Sequence, residues 1–255
     1  MVEAGWPLAV LVVALAATAA LVVRLSALGS WRAPAWATTR AVVQLAAVSL
    51  LIGLVLRSMV ATLGFVLLMV VVATATAGHR ITGQSITGRR AASVWLVVPI
   101  TAGMVPTVAA AVAVGAVPFE PVAVLPVAGI LIGGAMTATT LAGRRITDEL
   151  RDHRDLYEGA LALGGTRRQA VGVVGRPAAA LALVPGLDQT RTVGLVTLPG
   201  AFVGVLLAGA SPAQAGAAQV LVLVGLLLVQ SVAAAVLVEL VAAGRVPVDG
   251  APLAR

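Results

Sequence analysis

Polar side chains are scarce in this chain, so each one beside an apolar run is a candidate for chemistry. Arg40 and Gln44 stand one helical turn apart and share a face, where together they could hold a polar or charged solute. The packing alternative has Arg40 snorkelling to headgroups and Gln44 bonding a neighbouring helix. Asp188 and Arg191 lie at i, i+3 shortly after Pro185. They either form an internal ion pair that holds a broken helix or place charge at membrane depth, where ionisable groups are functional candidates by default. Met136 adds a soft thioether, with packing as its alternative. Arg40, Gln44, Met136, Asp188 and Arg191 are the candidates for lining a polar path between the apolar runs. Gln230, Ser231, Thr137, Thr139 and Thr140 could line the same path, against interhelical hydrogen bonding as the simpler reading. Glu239, in the last turns of the final apolar run, is expected to reach the interface.

Several chemistries are excluded outright. The chain has no cysteine, which removes disulfides, thiolate metal sites and thiol nucleophiles. Its 17 basic residues are all arginine, so neither a P-loop lysine nor a Schiff-base amine is available. The two histidines, His79 and His153, are far apart in sequence, and with no membrane carboxylate cluster a tight transition-metal site within one chain is not expected. Intramembrane proteases need a Ser with a membrane His, paired membrane Asp residues, or an H-E-x-x-H helix, and the sequence holds none of these.

The elements that must position these residues are set by composition. Hydrophobic residues make up 60% of the 255, charged residues only 11%, and the mean hydropathy is +1.06. Such a chain cannot cover itself with a hydrated surface, and it reads as an all-α, polytopic transmembrane bundle forming a single domain over 1–255. Seven runs have the length and character of spans: Pro7 to Val23, Ala41 to Leu56, Leu63 to Ala77, Ser93 to Val117, Val122 to Leu141, Val193 to Ala208 and Ala218 to Ala243. An eighth stretch, Ala178 to Leu187, is broken by Pro185 and Gly186 and reads as a half-helix continuous with the sixth span. The count of spans, six or seven, turns on the region 178–208.

Arginine distribution then orients the map. Arg24, Arg32 and Arg40 fall after the first span, Arg80, Arg89 and Arg90 after the third, and seven arginines from Arg144 to Arg176 after the fifth, with Arg245 and Arg255 in the tail. The alternate side carries only Glu3, Arg57, Glu120 and a charge-free turn. The positive-inside rule therefore predicts an outside N-terminus, an inside C-terminus and a multi-pass protein of the cytoplasmic membrane. The formal charge of +7 reports topology and contact with anionic lipid; it is no sign of nucleic acid. Met1 to Trp6 has an acid and no base ahead of the first apolar run, the reverse of a cleavable signal, so that run is expected to be a retained helix.

The one sizeable polar segment runs from Gly143 to Pro177. Ile146, Leu150, Tyr157, Leu161 and Gly164 fall on one face at helical spacing, with Arg151 to Asp155 and Arg154 to Glu158 as i, i+4 ion pairs. Gly164 and Gly165 are expected to end the helix, and Thr166 with Gln169 has capping-box spacing that starts the next. The predicted product is a helix, a tight turn and a helix at the membrane surface. Gly129 with Gly133 and Gly200 with Gly204 are small-xxx-small pairs read as packing sites, including a subunit seam.

From Glu158 the chain reads EGALALG and continues to VGRP at Pro177, which resembles the EAA loop of ABC-transporter permeases. Glu158, Ala160, Gly164, Val174 and Pro177 fit that pattern, while Gly159 and Arg176 depart from it. The resemblance implies a coupling helix, with Glu158, Gly159, Ala160, Leu163, Gly164 and Thr166 receiving the ATPase stroke. The strings TTRAVVQL (Thr38 to Leu45), LPVAGILIGGAM (Leu125 to Met136), LGGTRRQA (Leu163 to Ala170) and PGLDQTRTVGLVTLPGAFVG (Pro185 to Gly204) are similar to the FetB/YbbM (UPF0014) family. Gly134, Ala201 and Phe202 are departures, standing where asparagine and methionines are expected. The resemblance implies the permease subunit of an ABC transporter exporting iron or another metal ion, related to plant aluminium-resistance permeases. It further implies a permease homodimer and a separate ATP-binding subunit that uses the ATP, with no cofactor bound by this chain. The alternative reading is an ion-coupled secondary transporter using Asp188.

Overall fold

The computed structural model describes residues 5–82 and 94–248, so Glu3, Arg89, Arg90, Ser93 and Arg255 lie outside the described residues. The described chain is helical, and among those residues the only extended pairing is an isolated bridge between Val193 and Thr197. Contacts divide the chain into two compact units, Met1–Ser58 and Met59–Arg255.

The first unit is a helical hairpin. Its helices α1 (Trp6–Leu25) and α2 (Arg32–Val55) are joined through Ala27 at φ +52° and Gly29. Ala16, Ala17 and Ala20 of α1 and Ala35, Thr38 and Thr39 of α2 line the groove between them. Outward-facing leucines and valines cover both helices, as a lipid environment requires.

The second unit contains α3 (Met59–Thr82), α4 (Val97–Ala113), α5 (Pro121–Asp152), α6 (Arg154–Ala162), α7 (Arg167–Ala180), α8 (Val184–Thr192), α9 (Gly200–Leu207) and α10 (Pro212–Ala242). Helices α5 and α10 form its centre. Ile100, Leu131, Ile146, Leu150, Val229, Leu237 and Val241 are fully buried in the shared core. Glycine sets the closest approach: a Cβ on Gly103 of α4 would sit 2.9 Å from the Val229 backbone of α10. Without glycine there, the two helix axes would have to separate.

Among the described residues, six helical stretches are long and apolar enough to cross a membrane: Trp6–Leu25, Arg32–Val55, Met59–Ile81, Pro121–Asp152, Arg167–Thr192 and Pro212–Ala242. The shorter Val97–Ala113, with 17 residues, reaches the lower limit of a span. About seven crossings result, but the sixth is not the predicted one. Val193 to Ala208 is not a helix: Gly194 turns at φ +82°, Pro199 caps the next element, and α9 has only eight residues, about 12 Å of rise. The crossing lies upstream instead, where α7, a 3-10 turn at Leu181–Leu183 and α8 run continuously from Arg167 to Thr192.

The half-helix at 178–187 thus continues the preceding helix, contrary to expectation. Pro185 does not break it because it occupies the first turn of α8, where its missing N–H has no intrahelical duty. The replacement leaves the number of crossings unchanged. A second difference concerns the polar segment after the fifth span. Its first ten residues, Gly143 to Asp152, are not a surface loop but the end of α5, whose 32 residues extend about 48 Å.

Candidate functional site

The C-terminal end of α5 is built from the apolar face read in the sequence. Ile146 and Leu150 are completely buried and Tyr157 is 3% exposed, while Leu161 turns outward. The helix interrupts at His153, whose backbone leaves the helical region (φ −114°, ψ 44°) and whose Nδ1 lies 3.0 Å from Glu149 Oε1. This break falls between Arg151 and Asp155, placing the two on different helices. Downstream of it, Arg154 Nε donates to Glu158 Oε1 at 2.7 Å, the expected i, i+4 pair. Arg144 Nε donates to the Arg80 carbonyl at 2.9 Å, tying the extended end of α5 to the last turn of α3.

Helix α6 ends at the predicted glycines. Gly164 adopts φ +86°, and the N–H groups of Gly165 and Gly164 donate to the carbonyls of Ala160 and Leu161, both at 3.0 Å. This is the Schellman arrangement. A Cβ on Gly165 would sit 2.6 Å from the Ala160 carbonyl oxygen, so the second glycine is required by contact and the first by conformation. Thr166 then caps α7: its Oγ1 accepts from the Gln169 N–H at 3.3 Å, and Gln169 Oε1 accepts from the Thr166 N–H at 2.8 Å. The capping box starts a helix immediately after the stop.

The result is a short helix with two faces. Tyr157 and Ala160 pack inward against the core of the unit. Leu156, Gly159 and Leu163 follow i, i+3, i+7 on the other side; Leu163 is 91% exposed and a Cβ on Gly159 would meet nothing among the described residues. Glu158 is exposed beside them.

Glu239 does more than reach an interface. Its two carboxylate oxygens lie 2.7 Å from Arg168 Nε and 3.1 Å from Arg176 Nη2, bridging α7 to α10. Arg167 Nη2 reaches the Val241 carbonyl at 3.4 Å beside them. The sequence offered one signal for this bridge, a lone acid in an otherwise apolar run.

The path candidates are distributed between the units. Arg40 and Gln44 are exposed on α2 of the first unit, and Met136, Asp188 and Arg191 belong to the second. Met136 packs against the main core. Asp188 Oδ1 and Arg191 Nη1 are 3.6 Å apart on an exposed face of α8, within the helical run rather than ahead of a later span. Thr137 bonds its own helix through Gly133, whereas Thr139 and Thr140 bury hydroxyls with no partner among the described residues. Gln230 sits where α5, α8 and α10 meet. Its amide occupies the space a Cβ on Gly186 would need, it lies beside Gly134, and its buried Oε1 has no partner among the described residues.

Gln219, not singled out from the sequence, is 4% exposed and accepts the Phe202 N–H at 3.2 Å, fastening α9 to α10. Of the four small-xxx-small glycines, Gly129 meets another helix, at the Met69 methyl, whereas a Cβ on Gly133, Gly200 or Gly204 would meet nothing among the described residues. Among the described residues, no three His, Asp or Glu side chains group as metal ligands.

The sequence profile described as "Uncharacterised protein family (UPF0014)" matches residues 6–244. The chain is 40% identical over 157 residues to the UPF0014 membrane protein STAR2 of Oryza sativa subsp. japonica, covering 62% of this chain and 53% of that protein. It is 34% identical over 125 residues to the probable iron export permease protein FetB of Escherichia coli (strain K12), covering 49% of this chain and 48% of FetB. With the UPF0014 membrane protein YjkA of Bacillus subtilis (strain 168) it shares 30% identity over 187 residues, 73% of each chain. The matched stretch thus spans about half the length of STAR2 and FetB and nearly three quarters of YjkA. No solved structure matches the chain.

Proposed function

Because the chain belongs to the UPF0014 family of membrane proteins, we propose that it is the membrane-spanning permease subunit of an ABC transporter, driven by a separate ATP-binding subunit that docks on the segment 143–177. The observation that carries this reading is the two-faced build of α6. One face is anchored through Tyr157 and Ala160, and the other presents Leu156, half exposed, and Leu163, almost fully exposed, beside Gly159, where a Cβ would meet nothing among the described residues. A partner groove that covered this stripe would bury apolar surface, and motion of the groove would push on α5 and α7 through Tyr157. The absence of lysine supports a separate ATPase, since this chain lacks the residue a P-loop needs.

The cargo is a metal ion, iron first, moved outward. Support for iron is the name of the FetB relative, a probable iron export permease. Arg40, Gln44, Met136, Asp188 and Arg191 line the translocation path, and Glu158, Gly159, Ala160, Leu163, Gly164 and Thr166 form the coupling element. Two copies pair in the cytoplasmic membrane with the N-terminus outside and C-terminus inside, the orientation the arginine distribution favours. This chain binds no cofactor of its own, ATP being used by the partner.

Co-purification with the co-encoded ATPase tests the coupling element. Leu163→Glu and Gly159→Trp are expected to lose the ATPase, while Leu195→Glu, at a site 92% exposed in the same unit, retains it. Full retention by both α6 variants, with unchanged ATP-driven transport, would remove the assignment. The cargo is tested separately, by ATP-dependent release of iron from cells or vesicles carrying both subunits.

A further inference from the structure

A cleft of about 870 Å³ opens at the inner end of α10. Three guanidinium groups, Arg168, Arg176 and Arg245, and one carboxylate, Glu239, line it. The formal balance of these four, three positive and one negative, is +2. Arg168 and Arg176 each direct one donor to Glu239, and a guanidinium has five. Arg245 stacks on Trp95, its Cζ 4.3 Å from the ring centroid. A cation–π contact of this kind takes up none of the guanidinium's N–H donors, which remain for an oxyanion. The remaining wall is apolar, formed by Ala235, Val236 and Leu240 of α10.

We propose that this cleft binds an anionic phospholipid of the inner leaflet, its phosphate held by Arg168, Arg176 and Arg245 and an acyl chain laid along Ala235, Val236 and Leu240. Charge alone would suit any phosphate. The apolar wall continues up a helix long enough to cross the bilayer, and a tryptophan stands beside the arginines, as at membrane interfaces. Basic pockets between helices on the cytoplasmic side recognise lipid headgroups by this combination. Glu239 divides the arginines between itself and the lipid, so it tunes affinity. The inference rests on α10 crossing the membrane and not on what the chain transports.

The test uses the full chain purified in neutral detergent, with native mass spectrometry reading retention of dioleoyl phosphatidylglycerol against dioleoyl phosphatidylcholine. Selective retention of phosphatidylglycerol is expected, falling about fivefold for each of Arg176→Gln and Arg245→Gln. Arg57→Gln is expected to leave it unchanged. Glu239→Gln raises the balance to +3 and is expected to increase retention several-fold, a gain that misfolding cannot mimic. Ala235→Trp, at an exposed position, fills the cleft and is expected to abolish selectivity with the charges intact. Equal retention of the two lipids, or selectivity that survives Arg176→Gln with Arg245→Gln, overturns the site. Competition by millimolar inorganic phosphate or glycerol phosphate assigns the arginines to a soluble anion and overturns the lipid. Protection of the arginines by the ATPase alone, without lipid selectivity, assigns them to a protein interface and overturns it equally.

Discussion

Arg168 Nε lies 2.7 Å from Glu239 Oε2, so the first turn of α7 is tied to the last turns of α10 at the place where α6 hands the chain into the membrane. Both side chains are substantially exposed, at 71% and 41%. A pair in that setting contributes roughly 0–1 kcal/mol to stability, because water screens it and two long side chains lose freedom. Its value is directional. Arg168→Glu is expected to shift thermal unfolding little and to leave the proposed ATP-binding partner bound, while lowering that partner's cargo-stimulated ATP hydrolysis. The exchange Arg168→Glu with Glu239→Arg should recover part of that stimulation. Loss of ATPase binding in the single variant would show that the bridge shapes the docking surface itself.

Gly103 is where α4 and α10 come closest, its missing Cβ leaving 2.9 Å to the Val229 backbone. A backbone neighbour cannot rotate away. Gly103→Val is therefore expected to destabilise the second unit by about 1–3 kcal/mol through overpacking. Gly133→Ala, with open space at its Cβ, is expected to be neutral or slightly stabilising in the same helix bundle. Thermal unfolding in detergent, followed by loss of monodisperse protein, separates the two, and equal midpoints would contradict the close crossing.

What the sequence disclosed and what it withheld follow from the range of the interactions. The Gly164 stop and the Thr166 to Gln169 box are local, complete within a few residues, and both form as read. The buried face of Ile146, Leu150 and Tyr157 was legible because periodicity survives the break at His153. The position of the sixth crossing is not legible from the sequence, because Pro185-Gly186 and Pro199-Gly200 are the same dipeptide. The first pair sits in the opening turn of α8; the second follows a non-helical stretch turned by Gly194. Glu239 with Arg168, and Gln230 with Gly186, pair residues distant in sequence, and no local pattern encodes such meetings.

Tyr157 is the plug that seats α6, 3% exposed at the core edge while its neighbours Leu156 and Glu158 face out. Tyr157→Ala is expected to cost about 3 kcal/mol or more where the site cannot collapse. Because α6 has only nine residues, it is too short to hold its conformation without that contact. Amide hydrogen exchange should therefore rise across 154–162 well before it rises in α5. Tyr157→Phe keeps the ring and is expected to retain protection. Uniform exchange across both helices in the alanine variant would instead mean that the region unfolds as one block.

Asp188 and Arg191 supply the sharpest separation between an ATP-driven permease and an ion-coupled carrier. Their 3.6 Å pair on an exposed face of α8 is too open to hold the fold, so Asp188→Asn should change unfolding free energy by less than about 1 kcal/mol. A coupling acid must bind and release a proton during each cycle, and an amide cannot. With both subunits in vesicles, transport is expected to need ATP and to ignore a protonophore, in the wild-type chain and in Asp188→Asn alike. The variant's rate falls if the carboxylate lines the path, but its energy source does not change. Transport that collapses with the proton gradient, and loses that sensitivity in Asp188→Asn, would replace the ATP-driven reading with the carrier.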